Sequence, residues 1–145
     1  MQTLILAVII GLAGGVAVGL QGPLTSLMSQ HIGTMESVFI IHLGGVVVAG
    51  VLLLAMGGGN LGAWRSVPWY ALGAGLLGLV ILSAVSYTIP RIGAATTVTL
   101  IVAAQLILST LLDHFGLLGI SVRPFDLTRV VGIAVLFFGT WLMVR

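Results

Sequence analysis

Five long apolar segments, an odd number, with almost no charge to orient them, constrain this chain more than any other feature. They cover about residues 3–27, 35–56, 68–89, 92–112 and 127–144. Each has about the 20 residues that a helix rising 1.5 Å per residue needs to cross roughly 30 Å of hydrocarbon. Only a membrane solvates such surfaces, and a helix suits it because it satisfies its own backbone hydrogen bonds there. The expected fold is an all-α integral membrane protein with a single five-helix transmembrane domain over residues 1–145. An odd span count puts the two termini on opposite sides. Such a chain cannot contain its own inverted repeat, so a second copy must supply it.

The 145 residues are 59% hydrophobic and 6% charged, with a mean hydropathy of +1.30. A soluble domain carries about 25% charged residues. The isoelectric point near 10 comes from five arginines against Glu36, Asp113 and Asp126, not from a basic patch. With no Lys/Arg cluster, neither nucleic acid nor polybasic lipid recruitment is expected. The absence of Cys excludes disulfides, thiolate metal sites and Cys nucleophiles. Met1-Gln2-Thr3-Leu4 lacks the positive region of a signal peptide, so the first apolar run is expected to be a retained span. The longest connections are 57–67 and 113–126.

The charges hardly decide orientation. Arg65, Arg123 and Arg129 fall on the side of the N-terminus, and Arg91 and Arg145 on the other. Lys/Arg excess near span ends sets topology, and three against two is a weak instruction. One reading is a single orientation with the N-terminus cytoplasmic. The other is dual topology, in which the chain inserts both ways and pairs antiparallel. The odd span count favours the second, since many transporters build a midplane site from two inverted halves.

Gly11, Gly15 and Gly19 recur every four residues, with Gly22 and Ser26 continuing the stripe. This spacing puts small residues on one helix face, where another backbone can approach closely. Gly22-Pro23 comes late in the same segment. Pro23 cannot donate to the Gly19 carbonyl, so a kink or break is expected there. Such breaks are tolerated at membrane depth only beside protein or a wet cavity. Pro68 is expected to begin the third span and Pro90 to end it.

Polar groups inside lipid are costly and tend to face a bundle interior. Gln21, Glu36, His42 and Gln105 are the candidates for substrate binding or coupling. Glu36 is either a helix N-terminal carboxylate favoured by the dipole or a proton- or cation-binding group at a vestibule. His42 is either a hydrogen-bonded interior histidine or a proton carrier, since imidazoles titrate near neutral pH. Gln105 is a structural cross-link or a substrate contact. Ser83, Ser86, Thr96, Thr97 and Thr99 weigh less, because hydroxyls bond back to their own helix carbonyls. Asp113 lies within reach of Arg123 or Arg129 across one loop, which suggests a loop-pinning ion pair. Asp126 reads as the N-cap of the fifth span. No metal pair, serine elbow or phosphate loop occurs, so neither an enzyme nor a cofactor is expected.

Several stretches carry a family resemblance. They are Pro90-Arg91-Ile92-Gly93-Ala94-Ala95, Ala104-Gln105, Asp113-His114-Phe115-Gly116-Leu117-Leu118-Gly119, Arg129-Val130-Val131-Gly132 and Gly139. In the first half, Gln21-Gly22-Pro23-Leu24, Glu36, Phe39, His42 and Gly44 add to it. Together they resemble the YdcZ-type family, the small five-span branch of the drug/metabolite transporter superfamily. The family often has Asn where Thr25 stands. The resemblance implies an exporter in the bacterial inner membrane, with relatives that occur as dual-topology chains, as oppositely oriented pairs or as ten-span fusions. The related small multidrug resistance proteins use a carboxylate in the first span, and this first span has none.

The expected function is a secondary transporter of small organic solutes. It would work as an antiparallel dimer with a second copy, or with a homologous chain of opposite orientation. A channel or passive pore formed by the same dimer, and an accessory subunit of another membrane protein, are the alternatives.

Overall fold

A computed structural model describes residues 2–145, all of it helix, turn and loop. The helices are α1 (Gln2–Ile32), α2 (Thr34–Ala55), α3 (Trp69–Leu72), α4 (Ala74–Ile92), α5 (Ala94–Phe115) and α6 (Leu127–Val144). With α3 and α4 taken as one span, five are long and apolar enough to cross a membrane. The chain divides into two compact units, the first running through Arg91 and the second from Ile92 to Arg145.

Two tight turns set the helix limits. Gly33, with φ 100, alone separates α1 from α2, and Gly93, with φ 81, alone separates α4 from α5. This left-handed backbone is open to glycine and strained for other residues. In each turn the glycine carbonyl accepts the amide four residues on, from Ser37 at 3.1 Å and from Thr97 at 3.1 Å. Residues 28–34, expected as a connection, are therefore mostly helix. At 31 residues, α1 is about 46 Å long. It exceeds a bilayer's hydrocarbon core and must tilt or project beyond it.

Of the kink or break expected at Gly22-Pro23, the break is corrected: α1 is assigned helical through Pro23. Gly22, just ahead of the proline, has no Cβ for the ring to crowd. Thr25, two residues on, donates its Oγ1 to the Gln21 carbonyl at 2.7 Å. Pro90 likewise lies inside α4 rather than ending it. It falls in the last turn, where one lost bond disturbs little. The third span instead divides near its start, where Gly73 separates α3 from α4.

In the first unit α1 packs on α2. Gly22 faces α4: a Cβ added to it would stand 3.4 Å from Ile89 Cδ1 and 3.6 Å from Val85 Cγ1. The buried residues here are small or hydroxylic for the most part: Gly22, Thr25 and Ser26 on α1, Ser37 and Val38 on α2, and Leu82, Val85 and Ser86 on α4. Helices in lipid gain no hydrophobic drive from one another, so close approach through small residues holds them. In the second unit α6 packs on α5. Thr96 Oγ1 donates to the Met143 carbonyl at 3.4 Å, tying the start of α5 to the end of α6. The large aliphatic side chains of both units are mostly exposed, as a lipid-facing surface requires.

The buried positions recur. Gly22, Thr25, Ser26 and Ser37 have their counterparts sixty residues on in Leu82, Val85, Ser86 and Thr97, all of them buried. The turn glycines Gly33 and Gly93 share that offset. The pattern of buried positions and the turn glycine thus recur at one offset along the chain, with few side chains in common.

Candidate functional site

Gln21 is exposed on α1 and lines an open groove of about 570 Å³ with Ala17, Val18, Leu24, Met28 and Ile41 among its neighbours. Glu36 and His42 do not line this groove. Glu36 lies in the first turn of α2. Its carboxylate doubles back over Gly33, close enough that a Cβ there would collide with it. This places a negative charge at a helix N-terminus, where the dipole favours it. Glu36 also lines a shallow groove with Met35, Phe39 and Ile40.

His42 bridges two helices. Its Nδ1 lies 2.8 Å from the Val38 carbonyl, so the ring donates there through a proton assigned to Nδ1. Its Nε2 turns to α4: a Cβ added to Gly78 would come within 2.9 Å of it. Only a glycine lets the imidazole sit so close to that backbone. Gln105, in the second unit, is exposed on α5, and its side chain makes no hydrogen bond among the described residues.

The Gly11–Gly15–Gly19 face of α1 meets no atom within 4 Å. Within the described chain it packs against nothing.

In the second unit the loop after α5 is densely tied. Arg129 Nη1 lies 3.4 Å from Asp113 Oδ2, both side chains about 30% exposed. The same nitrogen donates to the Arg123 carbonyl at 3.3 Å, and the Arg123 amide donates to the Asp113 carbonyl at 2.8 Å. Arg123 thus joins this cluster through its main chain. Phe125 N–H donates to His114 Nδ1 at 3.1 Å, with the imidazole between the Phe115 and Phe125 rings, each 4.8 Å away. Asp126 caps α6 by accepting from the Arg129 amide at 2.7 Å.

Three arginines lie against aromatic rings: Arg65 on Trp64, Arg91 on Tyr87 and Arg145 on Trp141, with ring distances of 5.6, 3.6 and 4.9 Å. Such pairs suit the membrane interface, where amphipathic rings and snorkelling cations gather.

Sequence reasoning undervalued three hydroxyls. Thr25, Ser37, Thr88, Thr99, Thr110 and Thr140 bond back to their own helices. The hydroxyl oxygens of Ser83, Ser86 and Thr97 are buried without any such partner. That Gly78 seats His42 was not read from the sequence. Nothing in a glycine's own neighbourhood in the sequence marks an imidazole on another helix.

Comparison with known proteins adds the lineage. No solved structure matches the chain. It is 31% identical over 147 aligned positions to the inner membrane protein YdcZ of Escherichia coli (strain K12), which covers 99% of this chain and 97% of that protein. The family model described as "Putative inner membrane exporter, YdcZ" matches residues 6–142. With its five candidate spans, the chain belongs to the YdcZ family of drug/metabolite transporters and is a protein of the inner membrane.

Proposed function

We propose that the chain is a secondary transporter that exports small organic solutes as a dual-topology, antiparallel homodimer. The observation that carries this reading is the bare glycine face of α1, where Gly11, Gly15 and Gly19 meet nothing within 4 Å. A second copy packed there would gain the close backbone approach that holds helices together in lipid. Oppositely inserted copies would also supply the inverted half that an odd span count denies one chain.

In this reading Gln21, His42 and Gln105 face a shared polar cavity between the copies, with Glu36 at its mouth. Glu36 and His42 would couple proton movement to transport, and Gln21 and Gln105 would contact the solute. The exposure of Gln21 and Gln105 in the single chain supports this, since an uncovered amide in hydrocarbon is costly.

The test is topological first. A reporter at the C-terminus should be scored in both compartments with no homologous partner chain present. Both should register it, and a single orientation above roughly 95% would overturn the dimer, because the arginine bias of one charge predicts mixed insertion. Moving Arg91 to the opposite side should lock one topology. In reconstituted vesicles, Glu36→Gln should flatten the pH dependence of solute counterflow. Large single-channel currents in place of saturable counterflow would make the dimer a pore.

A further inference from the structure

The second unit carries a groove that the transport reading does not use. It follows the seam between α5 and α6, about 350 Å³ in volume, lined by Leu106, Ser109, Thr110 and Asp113 on one helix and by Arg129, Gly132, Ile133 and Leu136 on the other. Both sets fall at positions i, i+3, i+4 and i+7, the spacing of one helix face. Its apolar end lies about two turns, or roughly 10 Å, into the membrane from Asp113. Its head is the Asp113–Arg129 pair, at the end of one span and the start of the next.

That pair is half used. Arg129 engages only Nη1, toward Asp113 and the Arg123 carbonyl, and Asp113 receives its one side-chain bond, at 3.4 Å, through Oδ2. The remaining guanidinium N–H groups and Asp113 Oδ1 have no partner among the described residues. Both side chains are about 30% exposed. Below them Gly132 leaves open space, with no atom within 4 Å of where a Cβ would stand.

We propose that this groove binds one aminophospholipid: its phosphate on Arg129, its ammonium on Asp113, and the start of one acyl chain along Leu106, Ile133 and Leu136. A guanidinium fork matches phosphate oxygens, and a carboxylate accepts hydrogen bonds from a primary ammonium. A quaternary choline has no N–H to give, and a glycerol headgroup has no cation. An anion and a cation presented side by side at the head of an apolar groove match a zwitterionic amphiphile and disfavour an anionic one.

The experiment is thermal unfolding of the full-length chain, stripped of lipid in detergent, on titration with phosphatidylethanolamine, phosphatidylcholine, phosphatidylglycerol or water-soluble phosphoethanolamine. A ligand that binds the folded state raises the midpoint by mass action. Phosphatidylethanolamine should raise it saturably, at about one tenth the mole fraction that the other two lipids require, as losing a charge-assisted pair predicts. Asp113→Asn should erase that preference while lipid binding persists, and Arg129→Gln should weaken all three lipids. Gly132→Leu fills the groove without touching either charge and should abolish the phosphatidylethanolamine shift at an unchanged lipid-free midpoint. Equal shifts with ethanolamine and choline lipids would overturn the proposal, as would a full response in Gly132→Leu. A full response to phosphoethanolamine alone would also overturn it, making the site one for a free headgroup.

Discussion

Replacing Gly78 with alanine tests the placement of His42 directly. A Cβ at Gly78 would stand 2.9 Å from His42 Nε2 and 3.6 Å from Cε1, closer than carbon and nitrogen tolerate, so the ring must yield. It is held by the Nδ1 bond to the Val38 carbonyl at 2.8 Å, and swinging away stretches or breaks that bond. Loss of such a bond costs about 0.5–1.5 kcal/mol, and overpacking a close helix contact about 1–3 kcal/mol. Against this, alanine is the better helix former by about 0.8–1 kcal/mol. Gly78→Ala should therefore destabilise the chain by about 1–2 kcal/mol. With the imidazole removed by His42→Ala, the same substitution should instead stabilise it, by up to about 1 kcal/mol. The four species form a double-mutant cycle with an expected coupling near 2–3 kcal/mol, measurable by reversible unfolding of the full chain in mixed micelles titrated with a denaturing detergent. Coupling below about 0.5 kcal/mol, the level at which independent sites add, would mean that the ring does not rest on α4 at Gly78.

Two further outcomes follow from the packing. Gly15→Leu should leave the folded single chain intact, since nothing lies within 4 Å of that position, yet abolish self-association in detergent and in bilayers. Unchanged oligomer size by sedimentation would place the stripe against lipid. Asp126→Ala should lower stability by about 0.5–2 kcal/mol through loss of an N-cap, because Asp126 accepts the Arg129 amide at 2.7 Å, while Asp126→Asn should recover most of that in the same unfolding assay.

The number and placement of the helices were legible because their cause is local. A run of about 20 apolar residues has one stable conformation in hydrocarbon, whatever its neighbours do. Helix ends were less legible. Residues 28–32 were expected as part of a connection because Ser29, Gln30 and His31 are polar. In the structure Ser29 and His31 satisfy themselves on the Ser26 and Leu27 carbonyls, and only Gly33 is turned. The prolines misled for a related reason: Pro23 removes one amide, but the glycine just ahead of it has no Cβ to crowd the ring, and the helix runs on. The recurrence at an offset of sixty residues was hidden. It is written in burial and turn geometry, and of the recurring buried positions only Ser26 and Ser86 keep the same residue.

The candidate site shows where a cost argument reaches its limit. Polar groups in lipid are expensive, which singled out the largest ones: Gln21, Glu36, His42 and Gln105. Yet the buried polar residues are small, Thr25, Ser26, Ser37, Ser86, Thr97 and Thr140, because close packing admits a hydroxyl more readily than an amide. Size sorts the polar groups into two sets. The hydroxyls sit in contacts that one chain makes for itself, and half of them, Thr25, Ser37 and Thr140, close on their own helix carbonyls. Gln21 and Gln105 sit on surfaces that one chain leaves open. His42 stands between the sets, bonded within α2 by one nitrogen and seated on Gly78 by the other. A perturbation at Gly78 therefore reports on the fold of one chain, whereas a perturbation at Gln105 reports on whatever covers it. In the proposed dimer, Gln105→Leu should leave single-chain stability unchanged and weaken solute binding, a separation that no residue of the hydroxyl set can give.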